Sequence, residues 1–216
     1  MRLQRFILPL FLLAFPACIR ASDPAIERTK TTRATYAAYA WGVSRSETGE
    51  HGDGWSAEIH SGDWHRMEAS HTRVIANCRT HVGWVYDVAS GKISDSPNAW
   101  LGACGVYSPP DIRAVESIDS VASPWGRLDL LKVSDPRFTR FYAISEEGVI
   151  VRSNWIAANA APFPCIQLEP IAILSTIPAG EIFTRSSLTA SVVADKYKVG
   201  PSREDVAGLS GKRCGH

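Results

Sequence analysis

Three histidines, His60, His65 and His71, fall within twelve residues of the stretch "WSAEIHSGDWHRMEASHTRVIANC" (Trp55 to Cys78), with Glu58 just ahead of them. Imidazoles beside a carboxylate are the groups that bind zinc or pass protons. Whether they act together depends on which face of a hairpin each occupies, because successive strand residues point to opposite sides.

Two registers compete. If Ser61-Gly62-Asp63 is a three-residue loop, His60 faces Trp64, Ile59 faces His65, Glu58 faces Arg66 and Ala57 faces Met67. One face then carries Trp55, Ala57, Ile59, His65, Met67 and Ala69, and the other is polar. If Gly62-Asp63 is a two-residue turn, His60 sits beside His65, but Ile59 meets Arg66 and Ala57 meets Glu68, which mixes the faces. A sheet with one buried side favours the first register. It separates His60 from His65, leaves His71 in a turn and predicts no metal site. A two-residue Ser70-His71 turn then sets Met67 against Val74, His65 against Ala76 and Glu68 against Arg73.

Other reaction centres are hard to find. The chain has no GxSxG elbow, HExxH helix, Walker loop or GxGxxG loop, so no cofactor is expected. Glu146 and Glu147 are adjacent, whereas paired acid and base carboxylates must face each other across a substrate. A hydrolase using His60, Glu58 or His65 is the last-ranked alternative. Seven tryptophans, Trp41, Trp55, Trp64, Trp84, Trp100, Trp125 and Trp155, lie mostly on or beside strand-like runs. Such aromatics fill a β core or line an apolar pocket.

The compartment is more legible. Arg2 and Arg5 precede an apolar run, Phe6 to Phe15, broken by Pro9. A run of ten is too short to span a bilayer core of ~30 Å. Residues 1–21 read as a secretory signal cleaved after Ala21. The alternative is a lipoprotein anchored through Cys18, after Phe15-Pro16-Ala17. Residues 22–216 form one domain of 195 residues, with 20 basic and 22 acidic side chains. That balance argues against a nucleic-acid partner. Four cysteines remain, Cys78, Cys104, Cys165 and Cys214. In an exported chain they predict disulfides. Pairing nearest neighbours gives Cys78–Cys104 and Cys165–Cys214.

The elements follow from periodicity and turn chemistry. Asp23-Pro24 starts a helix predicted to reach about Tyr36. "AYAWGVS" reads as a strand, and Ser46 to Gly54 as a polar, Gly-rich loop. Strands are predicted over Trp55–His60, Trp64–Ala69, Thr72–Cys78, Gly83–Val88, Arg127–Val133, Phe138–Ser145 and Val149–Trp155, with turns between them. "SSLTASVVADKY" reads as helix or strand, and "SRED" before "VAGL" as the cap of a last helix. Consecutive short strands make an antiparallel meander rather than βαβ units.

The segment "SGDWHRMEASHTRVIANCRTHVGWVYDVASGKI" resembles periplasmic lipoprotein carriers of the Lol type. The matching residues are Trp64, Arg66 and Glu68, then Val74 and Ile75, then Trp84, Tyr86 and Asp87; "FTRFYAISEEGVIV" and the N-terminal helix fit the same plan. Asn77-Cys78 stands where the family has an Asp-Gly turn, and the cysteines are foreign to it. The resemblance implies a mainly β (α+β) half-barrel. This is a curved antiparallel sheet or incomplete β-barrel, with an N-terminal helix and short helices covering its open side. It implies that Arg66 ties the helical lid to the sheet, and that a lipid, acyl chain or lipidated protein binds the concave face. The expected ligand-lining set is Trp55, Ile59, His65, Met67, Val74, Trp84, Tyr86 and Arg66. The resulting expectation is a non-enzymatic periplasmic or secreted protein. The alternative is a structural or protein-interaction module of the envelope without a cavity.

Overall fold

The computed structural model describes residues 23–46, 49–106, 114–136, 138–157 and 165–200. The expected signal, Cys18, Cys214 and the "SRED" helix cap lie outside them. The Cys165–Cys214 pairing therefore does too.

The chain starts with a helix, α1 (Pro24–Thr31), capped by Asp23, whose carboxylate accepts from the Ala25 N–H at 2.8 Å. It stops well short of Tyr36, correcting the longer helix. The apolar face is thin, with only Ala25, Ile26 and Thr29 buried, so tertiary bonds take over. The Thr32 hydroxyl donates to the Glu147 carbonyl, and the Thr32 carbonyl accepts from His60.

The strands are β1 (Tyr36–Ser46), β2 (Gly49–Ser61), β3 (Trp64–Ala69), β4 (Thr72–Asn77), β5 (Gly83–Asp87) and β6 (Lys92–Asp95). After a short helix, α2 (Ala99–Ala103), come β7 (Ala114–Ser123), β8 (Gly126–Ser134), β9 (Phe138–Ser145), β10 (Ile150–Ala157) and β11 (Cys165–Leu174). They form one antiparallel sheet ordered β6-β5-β4-β3-β2-β1-β11-β10-β9-β8-β7. Two meanders are joined where β11 pairs with β1, and β6 and β7 are the edges.

Three differences from the sequence reading have physical causes. The glycine-rich stretch expected as a loop is mostly β2: Gly49, Gly52 and Gly54 pair with Ser46, Val43 and Gly42 across a bulge, so ladder pairing overrides composition. Strand β7 lacks an apolar alternation and is largely exposed; its pairing with β8 creates it. Residues 186–197 form neither helix nor strand but two 3-10 turns, Ser186–Thr189 and Asp195–Tyr197. Arg66 and Arg73 of the sheet bond the first, and Tyr39 stacks on Tyr197 of the second.

The sheet curls. Glu58 on β2 lines one cavity with Ile150 and Arg152 of β10. Its charge also reaches the buried phenol of Tyr142 on β9, four strands away along the sheet. A flat sheet would put about 19 Å between those strands, at about 4.8 Å per step. The concave side holds α1 and α2. Ala25 and Ile26 pack with Val106, Leu131, Val133, Tyr142 and Ile144, and Arg28 pairs with Asp129. Two glycines permit that approach. A Cβ on Gly148 (φ +84°) would lie 2.4 Å from the Arg28 carbonyl oxygen, and one on Gly105 (φ +84°) 2.6 Å from the Thr29 hydroxyl. The convex side is covered by the chain after β11: Ala37, Tyr39, Ala57 and Ile59 pack with Ile182 and Val193, and Tyr39 stacks on Tyr197.

Candidate functional site

The β2–β3 hairpin uses the two-residue Gly62-Asp63 turn, with Gly62 at φ +62°. Its pairs are Ser61–Trp64, His60–His65, Ile59–Arg66, Glu58–Met67 and Ala57–Glu68. This overturns the register expected from burial, and the Glu58–Arg66 pair with it. The premise failed because both faces are covered, so apolar and polar residues need not sort to opposite sides. The β3–β4 register is as expected, with Met67–Val74, His65–Ala76 and Glu68–Arg73 opposed.

The expected ligand-lining residues therefore divide. His65, Met67 and Val74 belong to the concave face. Trp55, Ile59, Arg66, Trp84 and Tyr86 belong to the convex face, as the alternation through the observed pairs requires.

On the convex face Arg66 is fully buried. Its Nε donates to Glu68 at 2.7 Å. One terminal nitrogen donates to the Ile182 carbonyl and the Ser187 hydroxyl, the other to the Ser187 and Ala190 carbonyls. All five guanidinium donors have protein acceptors, the full complement of the group. Glu68 also accepts from the Ser191 hydroxyl and the Val192 N–H, and Arg73 approaches it at 3.7 Å. Arg73 reaches on to the Leu188 carbonyl and lies over the Tyr86 ring. Trp64 stacks on Trp84 beside them. The knot fastens residues 182–192 to the sheet.

On the concave face the corrected register brings His60 and His65 together, Nδ1 to Nδ1 at 3.3 Å, both 3% exposed. Tyr36 of β1 stacks on His60 with ring centroids 5.5 Å apart. His60 Nε2 donates to the Thr32 carbonyl at 3.1 Å. His65 Nε2 lies 3.9 Å from Glu58 Oε2 and makes no hydrogen bond. Burial pushes the Glu58 carboxyl up to about 7. The side chain is 27% exposed, but it lines a cavity of about 30 Å³. That cavity has room for about one water. Burial, then His60, lowers His65 to about 3. Burial also lowers His60, with Arg33 adding to it against the Thr32 and Gly62 carbonyls. Among the described residues, no group of three His, Cys, Asp or Glu side chains is arranged to hold a metal ion.

A larger cavity, about 190 Å³, lies between α1 and α2 and is lined by Lys30, Cys78, His81, Trp100, Leu101, Cys104 and Val106. Cys78–Cys104 is the expected disulfide, with Cα atoms 5.4 Å apart. Asn77 shapes the turn beside it by accepting from the Arg79 and Thr80 N–H groups. His81 has φ +59°, uncommon for a residue with a Cβ, and stacks on Trp100 with ring centroids 3.8 Å apart. None of Lys30, His81, Trp100, Leu101 and Val106 was in the expected lining set. The signal available in the sequence was the two cysteines that bracket this stretch and draw its ends together.

No protein-family model matches the chain, and no curated protein is similar to it. Solved structures do resemble it. An outer membrane lipoprotein-sorting protein domain from Vibrio parahaemolyticus has a TM-score of 0.40 at 10% identity, over 76% of this chain and 96% of that one. A LolA superfamily protein from Nitrosomonas europaea has a TM-score of 0.42 at 8% identity, over 76% and 97%. A conserved protein from Thermus thermophilus has a TM-score of 0.45 at 12% identity, over 77% and 90%. The resemblance to lipoprotein-carrier half-barrels is weak and partial.

Proposed function

We propose that this is an exported, non-enzymatic envelope protein that holds the acyl chain of a lipid or lipidated protein against the concave side of its sheet. The observation that carries the reading is the cavity between α1 and α2. Its wall is aromatic, aliphatic and disulfide, and Lys30 supplies one cation. Apolar cavities of about 150 Å³ stay dry and accept small apolar molecules, so this one has room for the end of a chain. An ammonium beside an apolar slot suits a carboxylate or phosphate at the head of that chain. The expected leader and the Cys78–Cys104 bridge fit an oxidising compartment outside the cytoplasm. No helix among the described residues is long and apolar enough to cross a membrane. The packed convex face, where Arg66 has no donor to spare, favours the second reading, an envelope interaction module, for that side only.

Native mass spectrometry of the protein recovered after export tests the proposal, together with titration of a fluorescent fatty acid. Bound lipid and saturable fatty-acid binding are expected. Leu101→Trp should fill the cavity and abolish binding. Lys30→Ala should weaken binding of the acid more than that of the matching alcohol. The absence of both lipid and fatty-acid binding would overturn the reading.

A further inference from the structure

The concave cluster of His60, His65 and Glu58 joins four parts of the fold: Tyr36 of β1, Glu58 and His60 of β2, His65 of β3, and the linker from Thr32 to Thr35 that follows α1. Its hydrogen bonds leave little choice of proton positions. The Thr32 carbonyl can only accept, so His60 Nε2 carries a proton. Neutral His60 then has a bare Nδ1, and the 3.3 Å contact requires His65 Nδ1 to donate to it. His65 Nε2 is left bare, facing the Glu58 carboxyl.

As pH falls, the first proton goes to Glu58, whose carboxyl burial pushes up to about 7, and the protonated carboxyl then faces the bare His65 Nε2. The next proton must go to His60 Nδ1, the acceptor on which the histidine pair depends. The Nδ1–H groups of the two rings would then confront each other, with a buried cation on His60. The charged groups around them offer uneven help. Arg33 of the linker, itself paired with Asp63 of the β2–β3 turn, opposes a charge on His60. Glu58 is the nearby carboxyl, with Arg152 of β10 on the same small cavity and the phenols of Tyr36 and Tyr142 around it. The α2 residues packed beyond Ala76 and Gly83 are Ala99 to Ala103, none of them titratable. The Thr32 and Gly62 carbonyls favour a charge on His60, but burial opposes it more strongly, so the charged ring relieves the conflict by leaving the pocket, and with it both His65 and Thr32.

We propose that the His60–His65 pair with Glu58 is an acid-released latch. Near neutral pH it fastens α1 and its linker to the concave face, and in acid it lets α1 swing away. The device needs no ligand, so it stands apart from the lipid-binding reading.

Hydrogen–deuterium exchange of the full chain, corrected for intrinsic rates, tests it. Between about pH 7.5 and 4.5, residues 24–35 are expected to lose protection roughly tenfold while β8 and β9 keep theirs. His60→Gln and His65→Gln should each remove that pH dependence. Should either variant fail to fold, NMR titration of the wild-type histidine rings replaces it. The expected result is His60 titrating together with the amide signals of α1. Protection of residues 24–35 that is unchanged in acid overturns the latch. So does a His60 ring that titrates near 6.5 with α1 undisturbed.

Discussion

Arg66 and Glu68, two residues apart on β3, are both buried and joined Nε to Oε1 at 2.7 Å on one face of the sheet. Same-strand neighbours at this spacing share a face, and here they share a task. Arg66 saturates carbonyls of the 182–190 segment while Glu68 collects the N–H and hydroxyl groups of Ser191 and Val192. Removing one partner strands the other without solvent. Arg66→Met should therefore cost about 3–5 kcal/mol, and the double change Arg66→Met with Glu68→Leu should cost less than the sum of the two single changes. Urea unfolding of the four proteins measures this; strict additivity would show that the two groups act independently.

The cluster on the other face sets the pH dependence of stability. Glu58 titrates at about 7 in the folded protein against an ordinary 4.5. The folded state therefore keeps a proton that the unfolded state releases, and stability falls as pH rises from 4.5 to 7. His65 titrates at about 3 against 6.5. The unfolded state gains a proton that the folded state refuses, and stability falls as pH drops from 6.5 toward 3. The slopes oppose each other between 4.5 and 6.5. Glu58→Gln should flatten the loss approaching pH 7, and His65→Gln the loss below 4.5. Denaturant midpoints taken across pH decide it; variants whose curves run parallel to the wild type would refute the assignment.

Gly148 is where the β9–β10 turn touches α1. An alanine there meets both a positive φ and the Arg28 carbonyl, so Gly148→Ala should cost well over 1 kcal/mol and expose α1 to exchange. Gly180 has φ +100° but open space around it. Gly180→Ala should bear the backbone strain alone and leave α1 protected. Equal exchange in the two variants would remove the steric argument.

The Cys78–Cys104 bridge spans a sequence separation of 26. Loop-closure entropy for that length corresponds to about 3.5 kcal/mol. Reduction, or Cys78→Ser, should lower the thermal midpoint and loosen the wall of the α1–α2 cavity. An unchanged midpoint under reducing conditions would show that α2 is held by packing alone.

Much of this was legible locally. Asp23 and Pro24 mark the helix start, turn residues delimit β3, β4 and β9, and two cysteines in an exported-looking chain suggested the bridge that forms. These depend on neighbours within a few residues, where φ/ψ preference and side-chain capping act. The register of the β2–β3 hairpin was not legible. Three-residue and two-residue turns are both built from Ser61-Gly62-Asp63, and the pattern test presumes one wet face. Tertiary structure supplied a second cover, residues 182–193. Their carbonyls and amides satisfy Arg66 and Glu68, and so permit a charged pair where a core was expected. That choice turned His60 toward His65. The sequence by itself determined most of the strands, though not β6, β7, β11 or the glycine-rich start of β2, and the presence of imidazoles and carboxylates on them. Only the packing of both faces decided which of those groups meet, because burial of a polar side chain is allowed wherever distant backbone can bond it.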